Sequence, residues 1–510
     1  MMSHAHNEAK PSALDDDQLL RELGYEPELS RRMNGFGNFA ISFSVISVLS
    51  GCMTLYGFGL ATGGPAVMLW GWLVVGAMVL FVGAALAEVT SAYPTSGALF
   101  DMANRLGGPR WGWYTGWLNL LGLLGAIAGI DYGAALFAGA FANLQWGFQP
   151  TPGRTMLIYL GILLLHAVLN LFGVRLVTLL NSVSVWWHLA GVAVIVGALV
   201  LVPSHHQSPH FMFTTFVNDT GWSHSWYVVL VGLLLAQYTF CGYDASAHLS
   251  EETTRAQVSA PRGIVRAIGW SWLAGFVLLA GLTYAIQDYA GTQATATGVP
   301  PAQIFLDALG SGGAKALLLV VIVAQLFCGN AEVAACSRMV FAFSRDGALP
   351  GSTLWRRVSG RTGTPVLAVW LAVGVAAVLA FPALYSTVAY GAVTAINVIG
   401  ITPAYAIPIY LRLRAGRRFQ RGPWHLGRWS TLVGWVAVVW VGFVTVLFCL
   451  PQTRPEHHLI TVASFNYAPA ALAVVLVLAA IWWRVAGRRT YDAAQITGEA
   501  ELAQYAEGIV

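Results

Sequence analysis

Twelve apolar stretches follow one another along this chain, each close to the roughly 20 residues that a helix needs to cross a bilayer. They lie near 36–60, 67–90, 113–142, 155–173, 179–202, 226–249, 264–287, 316–343, 365–382, 386–411, 431–450 and 468–486. Each is long and continuous, which predicts helices and not the short alternating strands of a membrane barrel. The expected fold class is therefore all-α and integral to a membrane. Composition agrees. Hydrophobic residues make up 57% of the chain and charged ones 10%, with a mean hydropathy of +0.64, whereas a soluble domain carries about 25% charged residues.

Twelve crossings put both termini on one side. If that side is the cytoplasm, the 27 Lys and Arg test the count by the positive-inside rule. All but Arg154, Lys315 and Arg454 fall on or near it, among them Arg31, Arg32, Arg262, Arg266, Arg345, Arg356, Arg357 and the cluster Arg412, Arg414, Arg417 and Arg418. A wrong count would scramble this asymmetry. It also accounts for the net charge of +4 without a nucleic-acid partner. The polar segments before and after the spans read as loose cytoplasmic tails. Nothing before Asn34 is an apolar core of a signal peptide. The five cysteines, Cys52, Cys241, Cys328, Cys336 and Cys449, lie within spans and form no CxxC, so they read as small buried hydrophobes. No disulfide framework, metal or cofactor is implied.

An ionisable residue inside a bilayer is costly and marks a functional site by default. Here these are Glu88, Asp131, His188, Asp244, His248 and Glu332, with His166 less deeply placed. They fall on several spans, so no helix carries an acidic catalytic pair. The spans contain no GxSxG elbow, HExxH pair or Walker-type loop. Polar residues strung through the centre suit a translocation path better than an enzyme.

The middle of the sixth stretch reads "QYTFCGYDAS", with Gly242 between Phe240-Cys241 and Tyr243-Asp244. Glycine lacks a Cβ, so it admits non-helical dihedrals and lets a ligand approach the backbone. Alone it is equally a helix-packing glycine. The first stretch reads "SVLSGCMTLYGFGLATGGP", placing Ser50, Gly51 and Thr54 at mid-span. Corresponding interruptions five helices apart point to an inverted-repeat transporter with substrate bound between two broken helices.

These residues resemble the amino acid–polyamine–organocation superfamily of secondary transporters, nearest its amino acid–choline branch. The resemblance rests on "LYGFGLATGGPAVMLWGW" (Leu55–Trp72), "LAEVTSAYPTSGALF" (Leu86–Phe100), "NLFGVRLVTLLNSVSVWWHLAG" (Asn170–Gly191), "GYDASAHLSEET" (Gly242–Thr253) and "SRMVFAFSRDGALP" (Ser337–Pro350). It implies a five-plus-five inverted repeat with broken helices 1 and 6, two extra C-terminal helices, and alternating access. The chain then divides into a cytoplasmic tail (1–33), a ten-helix transport core (34–412), two further helices behind a basic loop (413–486) and a second tail (487–510). The resemblance also places the unwound part of span 1 at Ser50, Gly51, Cys52, Met53 and Thr54, whose amides hold a substrate carboxylate. The unwound part of span 6 falls at Phe240, Cys241, Gly242, Tyr243 and Asp244, whose carbonyls and aromatic ring receive an amino group.

In proton-coupled relatives a lysine follows an "N-[ST]-V" stretch on span 5, and here "NSVSVWWHL" puts His188 at that place. An unperturbed histidine titrates near physiological pH, so His188 is either the coupling site or a neutral imidazole satisfied by backbone carbonyls. Asp131 on span 3 and Glu332 on span 8 either bind a substrate ammonium or hydrogen-bond a neighbouring helix. Glu88 reads as structural, paired with backbone or a loop arginine, and Arg338, Arg345 and Asp346 as an anchor at the inner end of span 8. Trp70, Trp72, Trp111, Trp113, Trp482 and Trp483 read as interfacial belts. The function expected is import of an amino acid or small amine-bearing relative (γ-aminobutyrate, polyamine and choline included) across the plasma membrane, driven by protons. Exchange without proton coupling is the alternative, followed by an integral membrane enzyme. The partners are substrate, protons and the lipid bilayer; the sequence does not set an oligomeric state.

Overall fold

In the computed structural model, residues 13–295, 297–385, 389–452, 454 and 465–491 are described. Among them eleven helices are long and apolar enough to cross a membrane, and a shorter apolar segment, Ser225–Thr239, supplies the sixth crossing. Span 1 comprises Gly35–Ile46 and Val48–Thr54, and span 6 comprises Ser225–Gly232, Leu234–Thr239 and Ala245–His248. The others are Gly64–Ala92 (span 2), Pro109–Trp146 (3), Pro152–Leu171 (4), Val174–Leu201 (5), Ala256–Tyr284 (7), Pro300–Arg345 (8), Val366–Ala380 (9), Ala389–Ala415 (10), Ser430–Cys449 (11) and Tyr467–Trp482 (12). Their starts are set locally. Asn34 and Thr151 cap spans 1 and 4 through side-chain oxygens, and prolines open spans 2, 3 and 4, where a missing N–H costs nothing.

Packing follows the two-repeat scheme. Spans 1 and 6, 2 and 7, 3 and 8, and 4 and 9 each touch the partner five positions away. Spans 1, 2, 6 and 7 form one group and spans 3, 4, 8 and 9 the other, with span 5 against spans 1, 7 and 8. Span 11 rests on spans 2 and 10, and span 12 on spans 3 and 10. Two of the tryptophans read as interfacial are core residues instead: Trp72 and Trp113 are fully buried, whereas Trp70 is 55% exposed. Trp72 gives its indole N–H to the Trp272 carbonyl and packs on Phe240 at 4.4 Å, so a helical position about two turns inside the span end already faces the bundle.

The described residues nearest the two termini lie on one face, since Tyr25 reaches Asp346 and Tyr491 packs on Trp113 and Phe343 beside it. The loose N-terminal tail of the sequence reading is docked where it is described; residues 1–12 and 492–510 lie outside the described residues. Asp16 accepts the N–H groups of Arg255 and Ala256 at the start of span 7, and Arg31 donates to the carbonyls of Ser250 and Thr253. Arg338 pairs with Glu252 at 2.7 Å, and Arg345 grips Glu251 through two bonds of 3.0 Å. Glu88 meets Arg412 at 3.2 Å and also bonds Ser430, in keeping with a structural role. The Tyr25 hydroxyl lies 2.9 Å from Asp101 and 3.1 Å from Asp346, and its ring lies under the Arg345 guanidinium.

Burial raises the Asp346 carboxyl from 3.8 to about 7, with Arg345 opposing the rise and Asp101 adding to it. A folded-state value above the unfolded one makes this contribution to stability complete below 3.8 and lost as pH climbs through about 7. Thermal unfolding of the detergent-solubilised protein should therefore occur at lower temperature as pH rises from 4 to 7. Asp346→Asn should flatten that slope, and an unchanged slope in the variant would remove Asp346 as its source.

Candidate functional site

Span 6 breaks where the sequence placed the break. Helix ends at Thr239, Phe240–Asp244 is irregular, and helix resumes at Ala245. Gly242 has φ +91 and lies against Val45 of span 1, which occupies the place a Cβ would take. Glycine is required here on both counts. The freed backbone is taken up by side chains. Gly242 N–H donates to Tyr405 Oη at 3.0 Å, the Tyr405 hydroxyl donates to Asp244 Oδ1 at 2.8 Å, and the Tyr243 carbonyl accepts from Ser42 at 2.6 Å. Asp244 Oδ2 accepts from Asn119 at 3.2 Å and faces His248 Nε2 at 3.2 Å, while His248 Nδ1 faces the Ser96 carbonyl at 3.1 Å. Both ring nitrogens of His248 thus face oxygens, Asp244 Oδ2 and the Ser96 carbonyl.

Span 1 breaks earlier than the resemblance implied. The single non-helical residue inside the span is Ser47, and Ser50, Gly51, Cys52, Met53 and Thr54 lie in the helix that follows. Serine is a preferred helix-capping residue, and Ser47 caps this one: its carbonyl accepts the Ser50 and Gly51 amides at 2.9 Å, and its hydroxyl accepts from Ser50 at 3.1 Å. The same hydroxyl meets His188 Nε2 at 2.6 Å, and His188 Nδ1 meets the Ser184 carbonyl at 2.8 Å. His188, buried edge-on to Phe43, has a hydrogen-bond partner on each ring nitrogen and clamps the break.

Between the two breaks is a cavity of about 20 Å3 lined by Val45, Ile46, Ser47, Ser50, Gly51, Ala126, Ile130, Tyr238, Thr239, Cys241, Gly242, Cys328, Glu332 and Asn397. That volume holds about one water, so this conformation is closed around its centre. Of the residues singled out in the sequence, Ser50, Gly51, Cys241, Gly242 and Glu332 meet here. Gly51 is also a close-packing glycine, since a Cβ would stand 2.5 Å from Thr239 Oγ1. Cys52, Met53, Thr54, Phe240, Tyr243 and Asp244 stand outside the lining. The aromatic rings expected to receive an amino group are turned away, Phe240 onto Trp72 and Tyr243 onto Tyr405 at 4.5 Å.

The two remaining carboxylates differ sharply. Glu332 is fully buried in the lining, and among the described residues neither of its oxygens has a hydrogen-bond partner. Asp131 is not part of the lining; its Oδ2 lies 2.9 Å from His166 Nδ1, and both side chains are fully buried. His166, read from sequence as less deeply placed along its span, is fully buried within the bundle. Sequence reasoning also missed Ser47, Tyr405 and Asn397. For Asn397 the signal was present, an amide in the otherwise apolar "AINVIGI".

The comparisons agree with this architecture. Residues 34–479 match the model of a family described as amino acid permease. The chain is 40% identical over 500 residues to the amino-acid permease BAT1 of Arabidopsis thaliana, covering 94% of this chain and 96% of that protein. It is 38% identical to a BAT1 homolog of Oryza sativa (92% of this chain, 94% of that one). It is also 30% identical to the GABA-specific permease of Saccharomyces cerevisiae (94% and 86%).

Gly242→Ala should destabilise the fold by about 1–2 kcal/mol from the left-handed backbone alone, with the Val45 contact adding to it. Gly442→Ala on span 11, where a Cβ would meet nothing within 4 Å, is the control. Equal melting temperatures for the two variants would show that the break tolerates a side chain.

Proposed function

Because the chain belongs to the amino acid permease family, and is thus a membrane transporter of amino acids, we propose that it imports an amine-bearing amino acid across the plasma membrane by alternating access, driven by protons. Glu332 carries this reading. A buried carboxylate without a partner is expensive, and an ammonium group brought in by substrate supplies both the charge and the hydrogen bonds it lacks. Ser50, Gly51, Cys241, Gly242 and Asn397 complete the site. The N-terminus of Val48–Thr54 is the pole for the substrate carboxylate once the Ser47 cap opens.

The arginine-rich face that bears both termini is the cytoplasmic one by the positive-inside rule. Its ion pairs, Arg338–Glu252 and Arg345–Glu251, tie span 8 to the segment after span 6 and close the inner path. Opening that path means separating these pairs, and the His188–Ser47 clamp is the matching contact at the span 1 break.

A panel of the standard amino acids and γ-aminobutyrate, scored by thermal stabilisation of purified protein and then by uptake into proteoliposomes, tests the reading. Stabilisation without uptake of any member would overturn it. Glu332→Gln should weaken binding of an amine-bearing ligand by about 1.5–3 kcal/mol, as for a hydrogen bond to a charged group. A ligand analogue lacking the amine should bind both forms alike; equal losses for the two ligands would make Glu332 structural.

A further inference from the structure

We propose that the coupling proton is bound by the Asp131–His166 pair, buried between spans 3, 4 and 8 behind the cavity wall. The proposal rests on the proton-driven reading above and gives that proton an address. The two side chains share one hydrogen bond of 2.9 Å, and each keeps a buried polar atom without a partner, Asp131 Oδ1 and His166 Nε2. Asp244–His248 is different, because both ring nitrogens of His248 already face an oxygen. Asp131–His166 has no such lock. Gaining a proton forms an N–H bond at Nε2 and turns neutral imidazole plus carboxylate into an imidazolium–carboxylate pair; losing it leaves one net negative charge.

The surroundings leave that charge uncompensated. Facing the pair are Tyr159 from span 4, whose ring packs on Tyr132 and whose hydroxyl is given to the Ala376 carbonyl of span 9, and Cys328 and Glu332 from span 8. Among the described residues no Lys or Arg is paired with it. Gly329 of span 8 makes the room. A Cβ there would collide with Asp131 Oδ1 and stand 2.6 Å from the His166 ring. Asp131 is one residue removed from the cavity on span 3, and Gly329, which abuts the pair, is one residue removed on span 8, since Ile130 and Cys328 line it.

Coupling follows from charge. A zwitterion that places its amine on Glu332 brings a carboxylate of its own into the same low-dielectric space. The charge on the pair sets the potential at Glu332 and at the ligand it holds, so occupancy of the pair and occupancy of the cavity are linked. His188 offers no such link, because its partners, Ser47 and Ser184, are neutral.

The test uses full-length protein in proteoliposomes with the membrane potential clamped at zero, and each labelled member of the amino acid panel in turn. One proton per substrate across a pH step of one unit sustains about tenfold accumulation. Wild type should reach it. Asp131→Asn, His166→Gln and the double variant, which keeps a neutral hydrogen-bonded pair should a single variant fail to fold, should equilibrate near unity yet still exchange labelled for unlabelled substrate. His188→Ala should still accumulate about tenfold, however slowly. Failure of wild type to respond to the pH step would sink proton coupling itself. Tenfold accumulation by the double variant with an unaltered pH profile, or its loss in His188→Ala alone, would overturn the assignment to Asp131–His166.

Discussion

Inside a bilayer no water stands ready for a backbone N–H or C=O that leaves its helix, so each freed group must find a partner within the protein. The centre of this molecule is organised by that constraint. At the span 6 break the Gly242 N–H goes to Tyr405 and the Tyr243 carbonyl to Ser42. At the span 1 break Ser47 accepts the next helix's amides and is itself held by His188. Spans 1, 5, 6 and 10 are thus joined by bonds that exist only because two helices are interrupted. A ligand that competes for those backbone groups acts on four spans at once, which is how a small molecule can bias a large rearrangement.

The sequence revealed the helical frame because crossing a membrane demands length and apolarity, properties that each stretch carries by itself. It revealed the span 6 break because a positive φ and a close approach by Val45 both demand glycine. It misplaced the span 1 break by several residues for a physical reason. Gly51 is helical and leaves space for Thr239, while the residue that interrupts the helix is a serine acting through its side chain. A packing glycine and a hinge glycine look alike in one dimension. Asp131 was visible as a costly charge, but its partner His166 stands 35 positions away on another helix. Only the fold shows that the carboxylate faces that ring and not the cavity.

The termini-bearing face follows the opposite logic. There the charges are numerous, and opposite signs meet at short range: Arg338 with Glu252, Arg345 with Glu251, Arg105 with Asp101. Such pairs, largely removed from water, are weak evidence for stability but strong contributors to a defined geometry, because breaking one strands a buried charge. The docked tail adds Asp16, Tyr25 and Arg31 to the same network. A closed inner end built from charge pairs can open when water enters and hydrates them, which an apolar plug of equal area would resist.

Three buried carboxylates near the centre, Asp131, Asp244 and Glu332, set the ionic character of the pathway. Two of them are matched by a histidine at hydrogen-bond distance, and the third is not. The matched acids are turned away from the cavity, and the unmatched one lines it. That arrangement separates two tasks one acid could not perform together. A carboxylate that must release an ammonium at each turnover needs to be free of permanent partners. One that is to hold a proton between states needs a basic neighbour in reach and a wall between it and the substrate's amine. In the proposed mechanism, the division of the three acids between cavity and wall is the feature through which charge on the cargo and charge on the protein would depend on each other.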